Sequence, residues 1–172
     1  MILNLNRFRS ALERVERTFE PAEFQADDND FRVTTPVELT AEIHKDGRKF
    51  RLVGSAKTTL ETACSRCLEP FTLPVKAAFD LMFLPHSDAA DDQEKEVDDD
   101  DVGVSYYSDD QINLGDVMRE QFYLAMPMKP LCQTDCQGLC PQCGTNRNVA
   151  TCDCKFDWVD PRLEALKDLR GQ

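Results

Sequence analysis

Histidine is scarce in this chain: only His44 and His86 are present. Neither stands in a nucleophile or metal motif, so acid–base catalysis and zinc-activated water have no anchor here. A glycine-rich phosphate loop is missing as well. No apolar run reaches the roughly 18 residues that a membrane helix requires. The N-terminus, MILNLNRFRSALERVERTFE, lacks a basic head, an apolar stretch and a small-residue cleavage site, so no secretory signal is expected. Glu13, Glu16 and Glu20 argue against a transit peptide, which is poor in acids. The expected location is the cytoplasm. Basic residues are also in deficit, with 20 Lys and Arg against 32 Asp and Glu and a net charge of −12. Such a chain repels a phosphate backbone overall and attracts a basic partner.

What is present supports a folded body. Hydrophobic residues make up 41% of 172, enough for one domain with a core and a small appendix. Met1 to Phe8 read as a first strand, with Leu3 and Leu5 on one face. Residues 9–24 are ambiguous, with a helix begun by Ser10 and ended by Pro21 as one reading. Val37, Leu39, Ala41 and Ile43 alternate with Glu38, Thr40, Glu42 and His44, the period of a half-buried strand. Asp46-Gly47 marks a two-residue hairpin in which both turn positions take positive φ. A returning strand covers about 48–60, with Phe50, Leu52 and Ala56 on one face. A third covers 71–83, where Phe71, Leu73, Val75, Ala77, Phe79, Leu81 and Phe83 keep a strict period of two. Pro74 points to an edge or a bulge there. Short connections make the sheet antiparallel.

The stretch 88–101 holds nine acids and one lysine and is expected to be a disordered, solvated loop. It is a solubilising insertion or a docking arm for a basic protein. Val104, Tyr106 and Tyr107 form a short strand. Asn113 caps a helix whose apolar face is Leu114, Val117, Met118, Phe122 and Ala125, and Pro127 closes it. A last helix runs over 160–170, capped by Asp160 with Pro161 at its first position.

Six cysteines crowd one short stretch: Cys132, Cys136, Cys140, Cys143, Cys152 and Cys154. In a reducing compartment such clustering reads as metal ligation. Cys140-Pro141-Gln142-Cys143-Gly144 is a tight knuckle, in which glycine permits a left-handed turn and backbone N–H groups point at thiolates. Four thiolates around one divalent ion make a closed tetrahedral structural site, with zinc the expected ion and iron the alternative. Six ligands exceed one ion's need. Cys140 and Cys143 anchor the site; Cys136 and one of Cys152 or Cys154 are the preferred completion, and Cys132 is the least favoured.

Cys64 and Cys67 form a separate Cys-Ser-Arg-Cys pair with three readings. They complete a second four-thiolate site; they are a redox pair tuned by Arg66; or they are a structural turn whose thiols pack as small hydrophobes, the preferred reading. The chain as a whole reads as α+β: an antiparallel β-sheet body with a few helices and a C-terminal Cys-rich zinc-binding segment. Residues 1–128 are the body, and 129–172 are the Cys-rich segment with its helix. Catalysis is not expected, because carboxylates are concentrated where nothing holds them in place and closed zinc sites do not activate water.

Several motifs in order resemble the YceD family, the large ribosomal RNA subunit accumulation proteins. They are Cys64-Ser65-Arg66-Cys67-Leu68-Glu69-Pro70-Phe71, Ile112-Asn113-Leu114 with Glu120-Gln121, and Leu124-Ala125-Met126-Pro127-Met128-Lys129-Pro130-Leu131-Cys132. Then follow Cys136-Gln137-Gly138-Leu139-Cys140-Pro141-Gln142-Cys143-Gly144-Thr145-Asn146, Cys152-Asp153-Cys154 and Asp160-Pro161-Arg162-Leu163. The first 35 residues carry little of it, and the acidic stretch is richer than the family pattern. The resemblance implies a non-catalytic bacterial protein, with plastid relatives, needed for large-subunit ribosomal RNA to accumulate. On that footing the expected partner is a basic ribosomal protein or a large-subunit assembly intermediate. Ribosomal RNA would be touched locally, through Arg66, and not by bulk charge. A zinc-stabilised adaptor in another pathway and a thiol redox protein are the competing readings.

Overall fold

The computed structural model describes residues 1–8, 10–24, 30–86 and 104–154. The acidic stretch 88–101 and the expected helix over 160–170 lie outside the described residues. Eight strands are described: β1 (Ile2–Asn4), β2 (Leu12–Phe19), β3 (Phe31–Val33), β4 (Val37–Asp46), β5 (Lys49–Ala63), β6 (Pro70–Pro85), β7 (Val104–Tyr107) and β8 (Gln111–Asn113). One α-helix, α1 (Leu114–Ala125), follows, and two single-turn 3₁₀ segments cover Leu5–Arg7 and Pro21–Phe24.

The main sheet runs β2-β4-β5-β6-β7, with β3 paired to the far end of β5. It is mixed and not purely antiparallel, because β7 pairs parallel to β6. A parallel partner needs a long connection, and the stretch between Pro85 and Val104 supplies it. Among the described residues the fold is mostly sheet with one α-helix and a Cys-rich C-terminal cluster.

The alternating stretches behave as read. Val37, Leu39, Ala41 and Ile43 of β4 are buried, as are Phe50, Leu52, Ala56 and Leu60 of β5 and Val75, Ala77, Phe79 and Phe83 of β6. Their common face is covered by α1 through Leu114, Val117, Met118 and Phe122, and by Leu3 and Leu5. Asn113 caps α1, its side chain accepting from the Gly115 N–H at 3.0 Å. Pro74 sits in β6 where only β5 is a neighbour, since β7 pairs with Met82–Pro85 alone. An edge position of that kind tolerates the missing N–H. Gly54 faces Ala41 across the ladder, and a Cβ there would lie 2.3 Å from the Thr40 carbonyl oxygen. That close backbone approach requires glycine.

Three local expectations change. Residues Leu12–Phe19 are a strand, β2, paired along its length with β4 and not a helix. Val15 and Phe19, four apart, share a face in either conformation, so the spacing did not discriminate. The open ladder of β4 decides it, and the charged remainder suits an edge. The first strand stops at Asn4, and Leu5 is buried from a 3₁₀ turn instead. In the β4–β5 hairpin the turn residues are Gly47 and Arg48, and only Gly47 has positive φ, at 59°. Glycine at the first central position is the pattern of a type II′ turn.

Candidate metal centres

Cys64 and Cys67 lie in the tip of the β5–β6 hairpin, just beyond the Ala63–Pro70 pair that closes the ladder. Cys140 and Cys143 lie in the segment after α1. The two Cys-x-x-Cys turns are held by the same backbone bonds. The Cys64 N–H donates to the Glu69 carbonyl at 2.9 Å, and the Leu68 N–H donates to the Cys64 carbonyl at 2.9 Å. In the second turn the Cys140 N–H donates to the Thr145 carbonyl at 2.8 Å, and the Gly144 N–H to the Cys140 carbonyl at 2.9 Å. Each turn ends on a left-handed residue, Leu68 at φ 61° and Gly144 at φ 72°. Glycine takes this conformation freely, whereas Leu68 bears a cost of about 1–2 kcal/mol.

The eight cysteines form two groups of four. Cys64, Cys67, Cys132 and Cys136 have all their sulfurs within 4.8 Å of one another, and so do Cys140, Cys143, Cys152 and Cys154. The preferred sequence pairing of Cys136 with Cys140 and Cys143 is therefore not the one the fold makes. Cys136 and Cys132 stand beside Cys64 and Cys67, and the closing pair for Cys140 and Cys143 is Cys152 with Cys154. Spacing along the chain favoured the nearer neighbour. The hairpin tip instead pairs Cys67 with Cys132, a partner remote in sequence.

The distances fit a tetrahedral thiolate site. Zinc–sulfur bonds of about 2.3 Å put ligand sulfurs about 3.8 Å apart at tetrahedral angles. The Cys64–Cys136 and Cys67–Cys132 sulfurs are each 3.7 Å apart. A disulfide needs about 2.05 Å, and all eight cysteines are free.

Electrostatics point the same way. Burial pushes the Cys64 thiol up, but N–H groups of Cys67, Cys132 and Arg66 outweigh it and bring Cys64 down to about 6. Cys140 is held at about 6 by the N–H groups of Cys143 and Gln142. Cys132 is pushed to about 12 by burial and then by its neighbouring thiols. Cys154 reaches about 12, first through Cys143 and then through burial. In the second group Cys143 is lowered too, chiefly by Thr145. Each group of four thus holds thiols shifted down beside thiols shifted up, and a divalent cation would relieve the repulsion among their anions.

Surrounding groups hold the sulfurs in place. Cys64, Cys67 and Cys136 are buried against Phe71, Leu131 and Leu139, a small apolar cluster separate from the main core. The Ser65 N–H donates to the Pro130 carbonyl at 2.8 Å. Arg66 clamps the incoming segment twice: its guanidinium donates to the Cys136 carbonyl at 2.9 Å, and its own carbonyl accepts from the Leu139 N–H at 3.2 Å. In the second group, Thr145 Oγ1 lies 3.1 Å from Cys143 Sγ. The Arg147 guanidinium lies against the Cys140 thiolate, which raises its pKa. Asn148 donates its Nδ2 to Cys136 Sγ at 3.3 Å. Sequence reading passed over Arg147 and Asn148, whose only signal was their place between two cysteine pairs. His44 and His86 are exposed and belong to neither group. No helix among the described residues is long and apolar enough to cross a membrane.

Comparison with known proteins agrees with the motifs. Residues 52–170 match the family model described as large ribosomal RNA subunit accumulation protein YceD. Among curated relatives, the Arabidopsis thaliana chloroplastic large ribosomal RNA subunit accumulation protein YCED homolog 1 is 25% identical, over 99% of this chain and 60% of its own. An uncharacterised Mycobacterium bovis protein is 32% identical, over 78% of this chain and 62% of its own. Bacillus subtilis YlbN, also uncharacterised, is 30% identical over 91% of this chain and 87% of its own. The chain thus spans about three fifths of the length of the first two. No solved structure matches. With the matched region running from β5 through both cysteine groups, this chain belongs to the YceD family.

Proposed function

We propose that this protein is a non-catalytic ribosome-biogenesis factor that supports the accumulation of large-subunit ribosomal RNA. It acts by binding an assembly intermediate or a basic ribosomal protein, with structural zinc in its cysteine groups. The observation that carries this reading is the family match over residues 52–170, together with the rRNA-accumulation name of the plant relatives. Two physical features support the mode of action. Four thiols saturate a tetrahedral ion, leaving no position for substrate or activated water. A net charge of −12 favours a basic protein over naked RNA as the main contact, while Arg66, exposed at the hairpin tip, would use for a local RNA contact the guanidinium N–H groups other than the one donated to the Cys136 carbonyl. A cytoplasmic location belongs to the same proposal.

The redox reading has one feature in its favour, the low Cys64 pKa. Complete burial of Cys64 works against thiol exchange, which needs access. The test is affinity capture of the full chain from lysate, with and without nuclease. Recovery of large-subunit proteins that survives nuclease supports a protein contact, and recovery lost with nuclease assigns the contact to RNA. Recovery of no large-subunit component overturns the assembly reading. Metal analysis of protein purified without added zinc tests the ion, and oxidoreductase activity lost in Cys64→Ser with Cys67→Ser would favour redox chemistry.

A further inference from the structure

We infer that the two cysteine groups are coupled metal sites: an ion at Cys140, Cys143, Cys152 and Cys154 strengthens the binding of a second divalent ion at Cys64, Cys67, Cys132 and Cys136, and the reverse, with Asn148 as the linking residue. This rests on the structural-metal reading above and goes beyond it.

The second group is local, with all four ligands on the one short segment from Cys140 to Cys154. The first draws on two segments, the hairpin tip with Cys67 and the remote stretch with Cys132. Completing it requires residues 132–139 to lie correctly on the hairpin tip. What holds them there is partly the loop that the second ion closes. Asn148 stands in that loop, between Cys143 and Cys152. Its Nδ2 donates to Cys136 Sγ at 3.3 Å, and its Oδ1 accepts from the Gln137 N–H at 2.8 Å and from Gln133 Nε2 at 3.3 Å. Next to it, the Arg147 N–H donates to the Gly138 carbonyl at 2.9 Å. Gly138 in turn packs so closely on Arg66 that a Cβ would lie 3.0 Å from the Arg66 carbonyl oxygen.

One loop therefore touches both groups. An N–H donated to a ligating sulfur stabilises it as thiolate and orients it, which is how groups outside the ligand set tune affinity. An ion in the second group orders Asn148 before the first group binds, so that binding no longer bears this ordering cost. Linkage makes the effect reciprocal. Coupling of this kind is ordinarily about 5- to 150-fold in affinity.

The experiment titrates the full chain, stripped by chelator under reducing conditions, with Co²⁺ followed by its thiolate charge-transfer absorption. The intact chain should bind two ions. Cys152→Ser with Cys154→Ser should weaken the remaining site at least about fivefold, and Cys64→Ser with Cys67→Ser should weaken the other by a similar factor. Asn148→Ala keeps all eight thiols; it should retain two ions yet lose at least about half of that coupling in free energy. This variant decides the matter if a double substitution fails to fold, as judged by circular dichroism. Two ions bound with affinities that the substitutions leave unchanged would overturn the coupling and leave the structural-metal reading standing. Binding of no ion would overturn both.

Discussion

The two cysteine groups use the same knuckle and differ in what completes it. Around Cys140 the chain supplies everything locally. Around Cys64 the knuckle is the tip of a long β-hairpin, and its partners arrive from beyond α1. A local site organises its own loop. With an ion bound, the long-range site would staple the Cys-rich segment to the sheet, and its three buried thiols form a small core of their own. The same motif therefore serves two structural tasks, set by where its second pair of thiols comes from.

The largest expected effect separates those tasks. A structural zinc contributes apparent binding energies of about 10–16 kcal/mol. At saturating metal, Cys64→Ser with Cys67→Ser should release one ion and expose the Ser65 and Leu139 amides to fast hydrogen exchange. Cys152→Ser with Cys154→Ser should leave those two amides protected. Equal loss in both variants would erase the distinction between staple and local site.

Next, Phe122→Ala removes a ring buried in the main core, where it meets Phe31 and Phe24. It should cost about 3–5 kcal/mol in denaturant unfolding while leaving metal affinity at the local site unchanged. A parallel fall in metal affinity would show that the two regions unfold as one unit.

Gly138→Ala should act first on the staple. Its φ of 69° and the nearby Arg66 carbonyl leave no comfortable place for a methyl group. A cost of about 1–2 kcal/mol is expected, read as weaker ion binding at the long-range site in a chain lacking Cys152 and Cys154. The smallest effect compares the residues that end the two knuckles. Leu68→Gly relieves backbone strain and gives up only an exposed side chain, so stability should rise by less than about 1 kcal/mol. Gly144→Ala should lower it by about 1 kcal/mol. Opposite signs in thermal melts would confirm that the knuckles share one backbone design; equal signs would refute it.

Much of this was legible in residue order. The period of two in β4, β5 and β6 reported which side chains are buried, because alternation is a property of the strand itself. Asn113 as a cap and the apolar face of α1 from Leu114 to Phe122 were local in the same way, whereas Ala125, expected on that face, is exposed at the last turn. The knuckle around Cys140 was readable because its proline, glycine and cysteines are adjacent. By contrast, β2 was not readable, since Val15 and Phe19 suit helix and strand alike and the choice came from an unpaired neighbour. The parallel seat of β7 depended on a connection whose course no pattern describes.

The metal centres divide along the same line. Eight thiols in four close pairs, two of them in Cys-x-x-Cys turns, are stated by the amino-acid order, yet the order alone favours a structural turn for Cys64 and Cys67, which the fold instead sets in a group of four thiols. Which pair joins which was decided by the sheet. The β5–β6 hairpin carries Cys64 and Cys67 out to where residues 130–136 return from α1, and the Arg66 clamp holds them there. Local spacing encodes a turn, but a contact as remote in sequence as that of Cys67 with Cys132 is encoded only in the packing that closes the loop between them.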